Sequence, residues 1–122
     1  MTLRLEGVSK VVGRQTHIHP TDLELKNGTM NVLLGPTLSG KTTLMRLMAG
    51  LDVPHTGRVF WNDEDVTGVR VQKRNVAMVY QQFINYPSIT VYENIASPLR
   101  LAGKSKADID AAVRKTADLM KL

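Results

Sequence analysis

The stretch Gly35-Pro36-Thr37-Leu38-Ser39-Gly40-Lys41-Thr42 decides the fold, because it fits the phosphate-binding P-loop pattern G-x-x-x-x-G-K-[ST]. The run M-N-V-L-L at 30–34 predicts a short buried strand before it, and residues 42–49 predict a helix after it. A strand that leads through such a loop into a helix N-terminus is the arrangement that the motif requires. The sequence therefore predicts an α/β fold with a phosphate site at this loop. The alternative is a glycine-rich turn that caps an ordinary helix and leaves Lys41 in solvent.

The residue types of this loop suit a chain of phosphates. Gly35 and Gly40 supply backbone freedom and room for close approach. The first turn of the following helix offers backbone N–H groups without internal partners, together with the positive end of the helix dipole. Lys41 can reach the β- and γ-phosphates as a flexible point charge, and the Thr42 hydroxyl is a suitable ligand for Mg²⁺. Thr43 could donate a further hydrogen bond to the α-phosphate.

Composition indicates a globular chain of one-domain size, with 122 residues of which 43% are hydrophobic. It contains no cysteine, which excludes disulfides and thiolate metal sites. No apolar run is long enough to cross a bilayer. The formal charge of +5 comes from scattered bases, without a basic run or interleaved aromatic residues. We therefore expect no binding to nucleic acid.

Two other groups of polar residues could be taken for metal sites. His17 and His19 fall on the same side of a predicted strand, but no third ligand is evident. Asp63, Glu64 and Asp65 are adjacent rather than spaced, which favours a solvated acidic turn. We predict no metal site at either group.

Strand patterns dominate the first two thirds of the chain. Alternating residues predict a half-buried strand at 3–8 and a second strand at 18–26, which ends at the turn Asn27-Gly28. Short apolar runs predict further strands at 57–61 and 75–80. With the strand before the P-loop, these segments predict an antiparallel β layer beside a partial parallel core.

Two helices are predicted at the C-terminal side. Thr90-Val91-Tyr92-Glu93 has the form of a capping box, and Pro98 should end or kink the helix that starts there. A weaker capping pattern at Ser105 predicts a last, amphipathic helix. On its outer face Asp110 and Arg114 make a favourable i, i+4 pair.

Several segments together resemble one family. Residues 35–51 are similar to the Walker A region of ATP-binding cassette transporter ATPases. Residues 76–87 (V-A-M-V-Y-Q-Q-F-I-N-Y-P) resemble the Q-loop region of that family, and 90–95 (T-V-Y-E-N-I) resemble the helix after it. The resemblance covers nearly the whole chain in the right order and spacing. The subgroup it resembles most is the importers of carbohydrates and glycerol-phosphate-type solutes.

The resemblance implies an incomplete P-loop NTPase fold that binds ATP and Mg²⁺, with Lys41 and Gln81 in catalytic roles. The residues it implies for ATP are Gly35, Pro36, Thr37, Leu38, Ser39, Gly40, Lys41, Thr42 and Thr43, with Val12 near the adenine. It implies Thr42 and Gln81 for Mg²⁺. Gln81 matches the Q-loop glutamine, which in the family touches Mg²⁺ or the attacking water and couples the site to the membrane subunit. Gln82 is the less favoured match.

The resemblance also implies partners and a division of the chain. Residues 83–89, from Phe83 through Ile89, would contact a transmembrane permease subunit, although core packing is an equally simple role for Phe83, Tyr86 and Ile89. A second ATPase subunit would complete a homodimer or heterodimer. The site would be cytoplasmic, peripheral on the inner face of the membrane. Residues 1–81 would form the β layer and P-loop core, and 82–122 the Q-loop and the start of a helical subdomain.

Three departures from the family pattern qualify this reading. Leu38 stands where the family usually has glycine, which is costly if the backbone there has a positive φ. The stretch Val11-Val12-Gly13 lacks the aromatic residue that usually stacks on adenine. The L-S-G-G-Q motif, the strand ending in Asp-Glu and the switch histidine do not occur within the 122 residues.

From the last departure we expect these residues by themselves to bind nucleotide without appreciable hydrolysis, because phosphoryl transfer needs metal, positioned water and charge stabilisation together. Open strand edges make self-association a further expectation. Two alternatives remain: a degenerate or regulatory nucleotide-binding module, and another P-loop phosphotransferase such as a small-molecule kinase. The second is disfavoured by the Q-loop-like segment and by the lack of an identifiable lid.

Overall fold

The computed structural model describes residues 2–122, and its sheet consists of antiparallel pairs. The strands are β1 (Thr2–Val12), β2 (Gln15–Lys26), β3 (Thr56–Trp61) and β4 (Glu64–Asp65), in the order β2-β1-β3-β4. Leu5 of β1 lies opposite Leu23 of β2 on one side and Val59 of β3 on the other. The strands predicted at 3–8, 18–26 and 57–61 are therefore confirmed, and the first two are longer than predicted because they form one hairpin.

A bulge at Gly7 lets β1 bury residues three apart in sequence. Gly7 has φ of 57°, and its N–H donates to Oδ1 of Asp22 at 2.7 Å. The register of both neighbouring strand pairs shifts around this point. Since strand side chains otherwise alternate between faces, the extra residue brings Val8 to the same core as Leu5.

Helix α1 (Lys41–Ala49) packs Leu44 and Leu47 into that core. It ends at Gly50, where φ is 85° and the N–H donates to the carbonyls of Arg46 and Leu47, as is usual for a glycine at a helix C-terminus. The guanidinium of Arg74, which follows the 3₁₀ turn Val71–Lys73, donates to the Met48 carbonyl at 2.7 Å. The packing of the buried face of α1 against the sheet thus fixes the start of the helix beside the loop that precedes it.

A boundary between Val79 and Tyr80 separates this unit from a second compact unit. The second unit contains α2 (Val91–Leu101) and α3 (Lys106–Leu119), which bury Ala96, Ile109 and Val113 between them. Both predicted caps are confirmed, since Thr90 accepts from the Glu93 N–H and Ser105 from the Asp108 N–H. No helix within residues 2–122 is long and apolar enough to span a bilayer.

Helix α2 continues through Pro98 to Leu101, so the expectation that it could end there is wrong. A proline removes one hydrogen bond, but other contacts hold the two halves of the helix together. Arg100 makes two hydrogen bonds to the Glu93 carboxylate, at 2.9 and 2.7 Å, across the proline. Ile95 and Leu99 pack on the core shared with α3 from either side of it.

The strands predicted at 30–34 and 75–80 are not formed, and the partial parallel core that they were predicted to build is not formed among the described residues either. Both segments lack strand pairing within the described part of the chain, and Met30 and Val79 are 92% and 93% exposed. An apolar run identifies a segment that can be buried, but a strand also needs a hydrogen-bonded neighbour. The four strands of the sheet pair with one another and not with these segments.

Candidate phosphate-binding site

The loop before α1 owes its shape to two residues with positive φ. Leu38 has φ of 66° and Gly40 has φ of 92°. Between them the Ser39 N–H donates to the Pro36 carbonyl at 3.2 Å and closes a turn. The sequence predicted strain at Leu38 only if the backbone there has a positive φ, and the structure shows that it does.

The Lys41 side chain folds back into the loop. Its ammonium donates to the carbonyl oxygens of Gly35 and Pro36, the latter at 2.6 Å, and to Ser39 Oγ at 3.3 Å. A lysine that merely extended into solvent would make none of these contacts. The loop therefore holds a positive charge against its own backbone, and an anion bound there would be attracted by the ammonium and by nearby backbone amides.

An added Cβ would meet a close neighbour at both glycines of the motif, and at Gly40 that neighbour includes backbone. A Cβ on Gly35 would lie 2.7 Å from Ser39 Oγ. A Cβ on Gly40 would lie 2.7 Å from Cδ1 of Ile18 and 2.9 Å from the His17 carbonyl oxygen. The first contact involves the same hydroxyl that Lys41 reaches, and the second places β2 directly against the start of α1.

The N-terminus of α1 is left open to an anion. Its N-cap residue is Gly40, no side chain accepts a hydrogen bond from the first turn, and that turn contains no acidic residue. Thr42 and Thr43 lie in this turn behind Lys41. The partnerless amides of a helix start and its positive dipole end make such a terminus a ready anion site when a loop surrounds it.

A cavity of about 430 Å³ adjoins the loop and falls within the size range of small-ligand sites. Five of its lining residues belong to the predicted site: Gly35, Pro36, Ser39, Gly40 and Lys41. Leu33 and Leu34, which precede the loop, line it as well. The structure thus groups the centre of the predicted phosphate site around one cavity.

Strand β2 contributes lining residues that sequence reasoning missed. His17, His19 and Thr21 border the same cavity, whereas the sequence assigned the histidines to no site. The contact joins β2 to a loop that begins nine residues after the strand ends, so no local pattern could reveal it. The residue that could have indicated this contact is Ile18. Its burial beside α1 brings its neighbours His17 and His19 to the rim of the cavity.

The family follows from a comparison with protein-family models. The ABC transporter model matches residues 18–121, which is most of the chain. The chain belongs to the ABC transporter family. The family resemblance predicted from the P-loop and Q-loop segments is therefore confirmed.

Curated relatives of this ABC transporter chain are import proteins for different solutes. It is 39% identical to a sulfate/thiosulfate import ATP-binding protein of Agrobacterium fabrum, over 100% of this chain and 36% of that protein. It is 41% identical to a trehalose/maltose import ATP-binding protein of Thermococcus litoralis, over 98% and 34%. An Fe(3+) ions import ATP-binding protein of Photorhabdus laumondii is 38% identical, over 98% and 34%. The chain spans about a third of the length of these relatives.

Solved ATP-binding cassettes share the fold. The cassette MJ0796, in a dimer bound to ADP and Pi, superposes with a TM-score of 0.84 over 98% of this chain and 57% of that chain, at 23% identity. A nucleotide-free cassette from an ABC transporter gives 0.70 over 89% and 45%, at 24% identity. These likenesses confirm the predicted fold class, an α/β cassette with an antiparallel layer and helices on the C-terminal side.

The remaining predicted site residues lie outside the cavity lining. Thr37 and Leu38 are exposed on the loop, and Val12 is half exposed at the end of β1. Gln81 lies in an exposed bend of the second unit. The roles of these residues stay predictions.

The donor set of the loop fits a phosphate chain better than it fits a bare metal ion. An ammonium, a serine hydroxyl and helix-start amides all suit phosphate oxygens. Within residues 2–122 no three His, Asp or Glu side chains group into a metal site. The exposed Thr42 hydroxyl could coordinate Mg²⁺ only if other oxygen ligands, such as those of a bound phosphate chain, completed the coordination shell.

Proposed function

We propose that the chain is the ATP-binding portion of an ABC importer ATPase subunit, which couples MgATP binding and hydrolysis to solute transport. One observation carries the proposal: the Lys41 ammonium is bonded to the P-loop, and Lys41 lines the adjoining cavity at a helix N-terminus that no side chain caps. Charge-assisted hydrogen bonds from that ammonium and from the helix-start amides would hold the β- and γ-phosphates.

The other site residues take supporting roles in this proposal. Ser39 and Thr43 donate hydroxyl hydrogen bonds to phosphate oxygens, while residues 35–38 contribute backbone. Val12 offers the adenine an apolar contact. Thr42 and Gln81 would hold Mg²⁺, and the ion would supply neutralisation of phosphate charge. Lys41 and Gln81 are the two residues that we propose to act on the reacting groups.

We further propose that residues 1–122 alone bind nucleotide without appreciable hydrolysis. No Asp or Glu lines the cavity among the described residues, so no carboxylate there is placed to activate water. Residues 1–81 supply the β layer and P-loop core, and residues 82–122 supply the Q-loop and the beginning of a helical subdomain.

The partners proposed are two proteins. Residues 83–89 contact a membrane permease subunit, and a second ATPase subunit, identical or different, completes the nucleotide sites. This places the protein in the cytoplasm, peripheral on the inner face of the membrane. The exposed apolar residues of 30–34 also favour association of the 122-residue chain with a second copy.

The proposed solute is a carbohydrate or a glycerol-phosphate-type compound. Relatives named for trehalose/maltose and alpha-glucoside import support it, whereas others are named for sulfate and Fe(3+). Growth of a deletion strain of the source organism on each solute class tests it directly. Loss of uptake restricted to sulfate or iron would contradict the carbohydrate proposal.

Leu38 with its positive φ favours a second candidate function, a degenerate or regulatory nucleotide module. Such a module would keep the fold and lose affinity for ATP. A folded chain that fails to bind even millimolar ATP would favour this function over the first.

Calorimetric titration with MgATP tests the main proposal. We expect saturable binding by the wild-type chain and a loss of about a hundredfold or more in affinity for Lys41→Ala, since a charge-assisted contact to phosphate is removed. Lys26→Ala, which removes an exposed lysine from β2, is the matched control and should bind normally.

Two results would contradict the proposal. The first is equal MgATP affinity of Lys41→Ala and wild type. The second concerns hydrolysis: phosphate release by the 122-residue chain at an ordinary enzymatic rate, abolished by Lys41→Ala, would refute the claim that these residues bind without hydrolysing.

A further inference from the structure

The segment 83–89, called here the docking segment, is exposed and apolar and lies outside regular secondary structure. Phe83 is fully exposed, Ile84 is 67% exposed and Tyr86 is 59% exposed. The segment forms neither helix nor strand, and its internal backbone hydrogen bond is the one from the Ile89 N–H to the Tyr86 carbonyl, at 3.4 Å. Something other than secondary structure must therefore hold its backbone.

The side chain of Asn94 supplies that support. Its Oδ1 accepts from the Tyr86 N–H at 2.7 Å, and its Nδ2 lies 3.1 Å from the Tyr86 carbonyl and 3.3 Å from the Ile89 carbonyl. The same nitrogen reaches the Thr90 carbonyl at 2.9 Å. The side-chain amide of Asn94 thus bonds to both the backbone N–H and the backbone carbonyl of Tyr86. It ties this residue to the first turn of α2.

Other polar groups at the start of α2 do not reach the docking segment. Thr90 caps the helix by accepting from the Glu93 N–H, and Glu93 pairs with Arg100 farther along the helix. In the part of the chain that the structure describes, Asn94 alone bonds to residues 83–89 from outside the segment. Removal of the other two groups would weaken the helix, whereas removal of Asn94 would release the segment.

The choice of residue is informative because asparagine is a poor helix former. It occupies the fourth position of α2, where alanine would favour the helix by roughly half a kcal/mol. Asparagine has the acceptor and the donor that the Tyr86 peptide demands on one short side chain. Its hydrogen bonds to the segment account for a residue that helix propensity disfavours.

We propose that Asn94 is the positioning residue of the docking segment, fixing its backbone so that Phe83 and Tyr86 are presented to the membrane permease subunit. The inference rests on the proposed function, from which it takes the permease as the partner. It adds the residue on which the contact depends, although that residue does not itself touch the permease.

Two substitutions separate positioning from folding. Asn94→Ala removes all the contacts and improves helix propensity, so α2 itself should survive. Asn94→Asp keeps the acceptor for the Tyr86 N–H and loses the donor, which leaves a carboxylate facing carbonyl oxygens. Asn27→Asp makes the same change of amide to carboxylate at an exposed turn and is the matched control.

Hydrogen exchange on the complete chain gives the first readout. We expect the Tyr86 amide to exchange at least about tenfold faster in Asn94→Ala, which removes its acceptor. The increase should be smaller in Asn94→Asp, where the carboxylate keeps the acceptor but repels the Tyr86 and Ile89 carbonyl oxygens. Exchange in the core helix turns around Ala96 and Val113 should stay at the wild-type rate, as should MgATP affinity. Unchanged exchange at Tyr86 would overturn the proposal.

Photo-crosslinking in the source organism gives the second readout. A photoreactive phenylalanine analogue at position 83 should capture an integral membrane permease, and Asn94→Asp should lower that yield about fivefold or more while Asn27→Asp does not. Faster exchange with an unchanged yield would overturn the role of Asn94 and leave the proposed function intact. If the chain that carries the analogue at position 83 and no other change gives no permease adduct, the permease contact itself is refuted. This inference is then refuted with it.

Discussion

Helices α1 and α2 both begin after an irregular, exposed loop, yet their first turns are built differently. At α2, Thr90 accepts from the Glu93 N–H at 3.1 Å, and Glu93 adds an acidic side chain to the first turn. At α1, the N-cap is Gly40, no side chain caps the turn, and it contains no acidic residue. The capped turn satisfies one of its amides with a side chain of its own, whereas no side chain accepts from the amides of the open turn.

The difference shows how a loop before a helix can serve two purposes. The start of α1 combines its open amides with the Lys41 ammonium, which attracts a multiply charged anion. The start of α2 uses its polar groups internally, and through Asn94 it fixes a loop of exposed apolar side chains. The first arrangement suits a small ligand, and the second suits a protein partner.

The largest expected effect comes from Gly40→Ala, which tests how tightly the open turn is built. The new Cβ would meet Ile18 and the His17 carbonyl at a φ that alanine avoids, so we expect a loss of about 3 kcal/mol in the free energy of unfolding. Urea unfolding followed by the fluorescence of Trp61, the single tryptophan, measures it in this unit.

Gly13→Ala is the control for that measurement. Gly13 also has a positive φ, but nothing lies within 4 Å of its added Cβ, so only about 1 kcal/mol of backbone strain is expected. Equal losses at the two positions would show that the packing of β2 against the start of α1 is not tight.

Thr90→Ala should cost about 1 kcal/mol locally, because the side-chain cap of α2 is lost. Hydrogen exchange at the Glu93 amide should speed up while the affinity for MgATP stays unchanged. Ser105→Ala offers the same test at α3, where Asp108 is the capped residue. A fall in MgATP affinity would mean that the two helix starts do not have separate roles.

Leu38→Gly should raise the free energy of unfolding by less than about 1 kcal/mol. Glycine relieves the positive φ, but it also gives the unfolded chain more freedom, and the two terms partly cancel. Trp61 fluorescence in urea again measures the change. MgATP affinity should stay the same, since the Leu38 side chain is fully exposed and lies outside the cavity lining. A loss of stability would contradict the strain at Leu38.

The smallest effect expected is a dependence of the second unit on pH. Hydrogen bonds from Arg114, and then from Tyr92, lower the pKa of Asp110. A pKa that is lowered in the folded state stabilises that state at pH values above the ordinary pKa of about 4. This stabilisation is lost as the pH falls through the folded-state pKa. Helix content measured by circular dichroism should therefore decline below about pH 4, and less so in Asp110→Asn. Asp118→Asn, an exposed change in the same helix, should decline like the wild type.

Prediction from sequence succeeded where the structure depends only on the types of residues that are close together in the chain. The alternation of Leu3 and Leu5 gave the hairpin its buried face, and Thr90 and Ser105 marked their caps, because each of these effects is local. The P-loop was recognisable for the same reason. Its glycines, lysine and threonine have fixed positions relative to one another.

Prediction failed where the outcome depends on a distant partner. Residues 30–34 are apolar enough for a strand, but pairing requires a neighbour that their own sequence cannot specify. His17 and His19 border the cavity only because β2 packs on the start of α1. The bonds from Asn94 to Tyr86 span eight residues and match no capping rule.

The most direct test of the open helix start is a nuclear magnetic resonance titration of backbone amides with MgATP. Saturating shifts at Lys41, Thr42 and Thr43, with no shift at the capped amides of Glu93 and Asp108, are the result that we predict. Unshifted amides at 41–43 in a folded chain, or equal shifts at all three helix starts, would contradict the claim that α1 alone is built to receive phosphate.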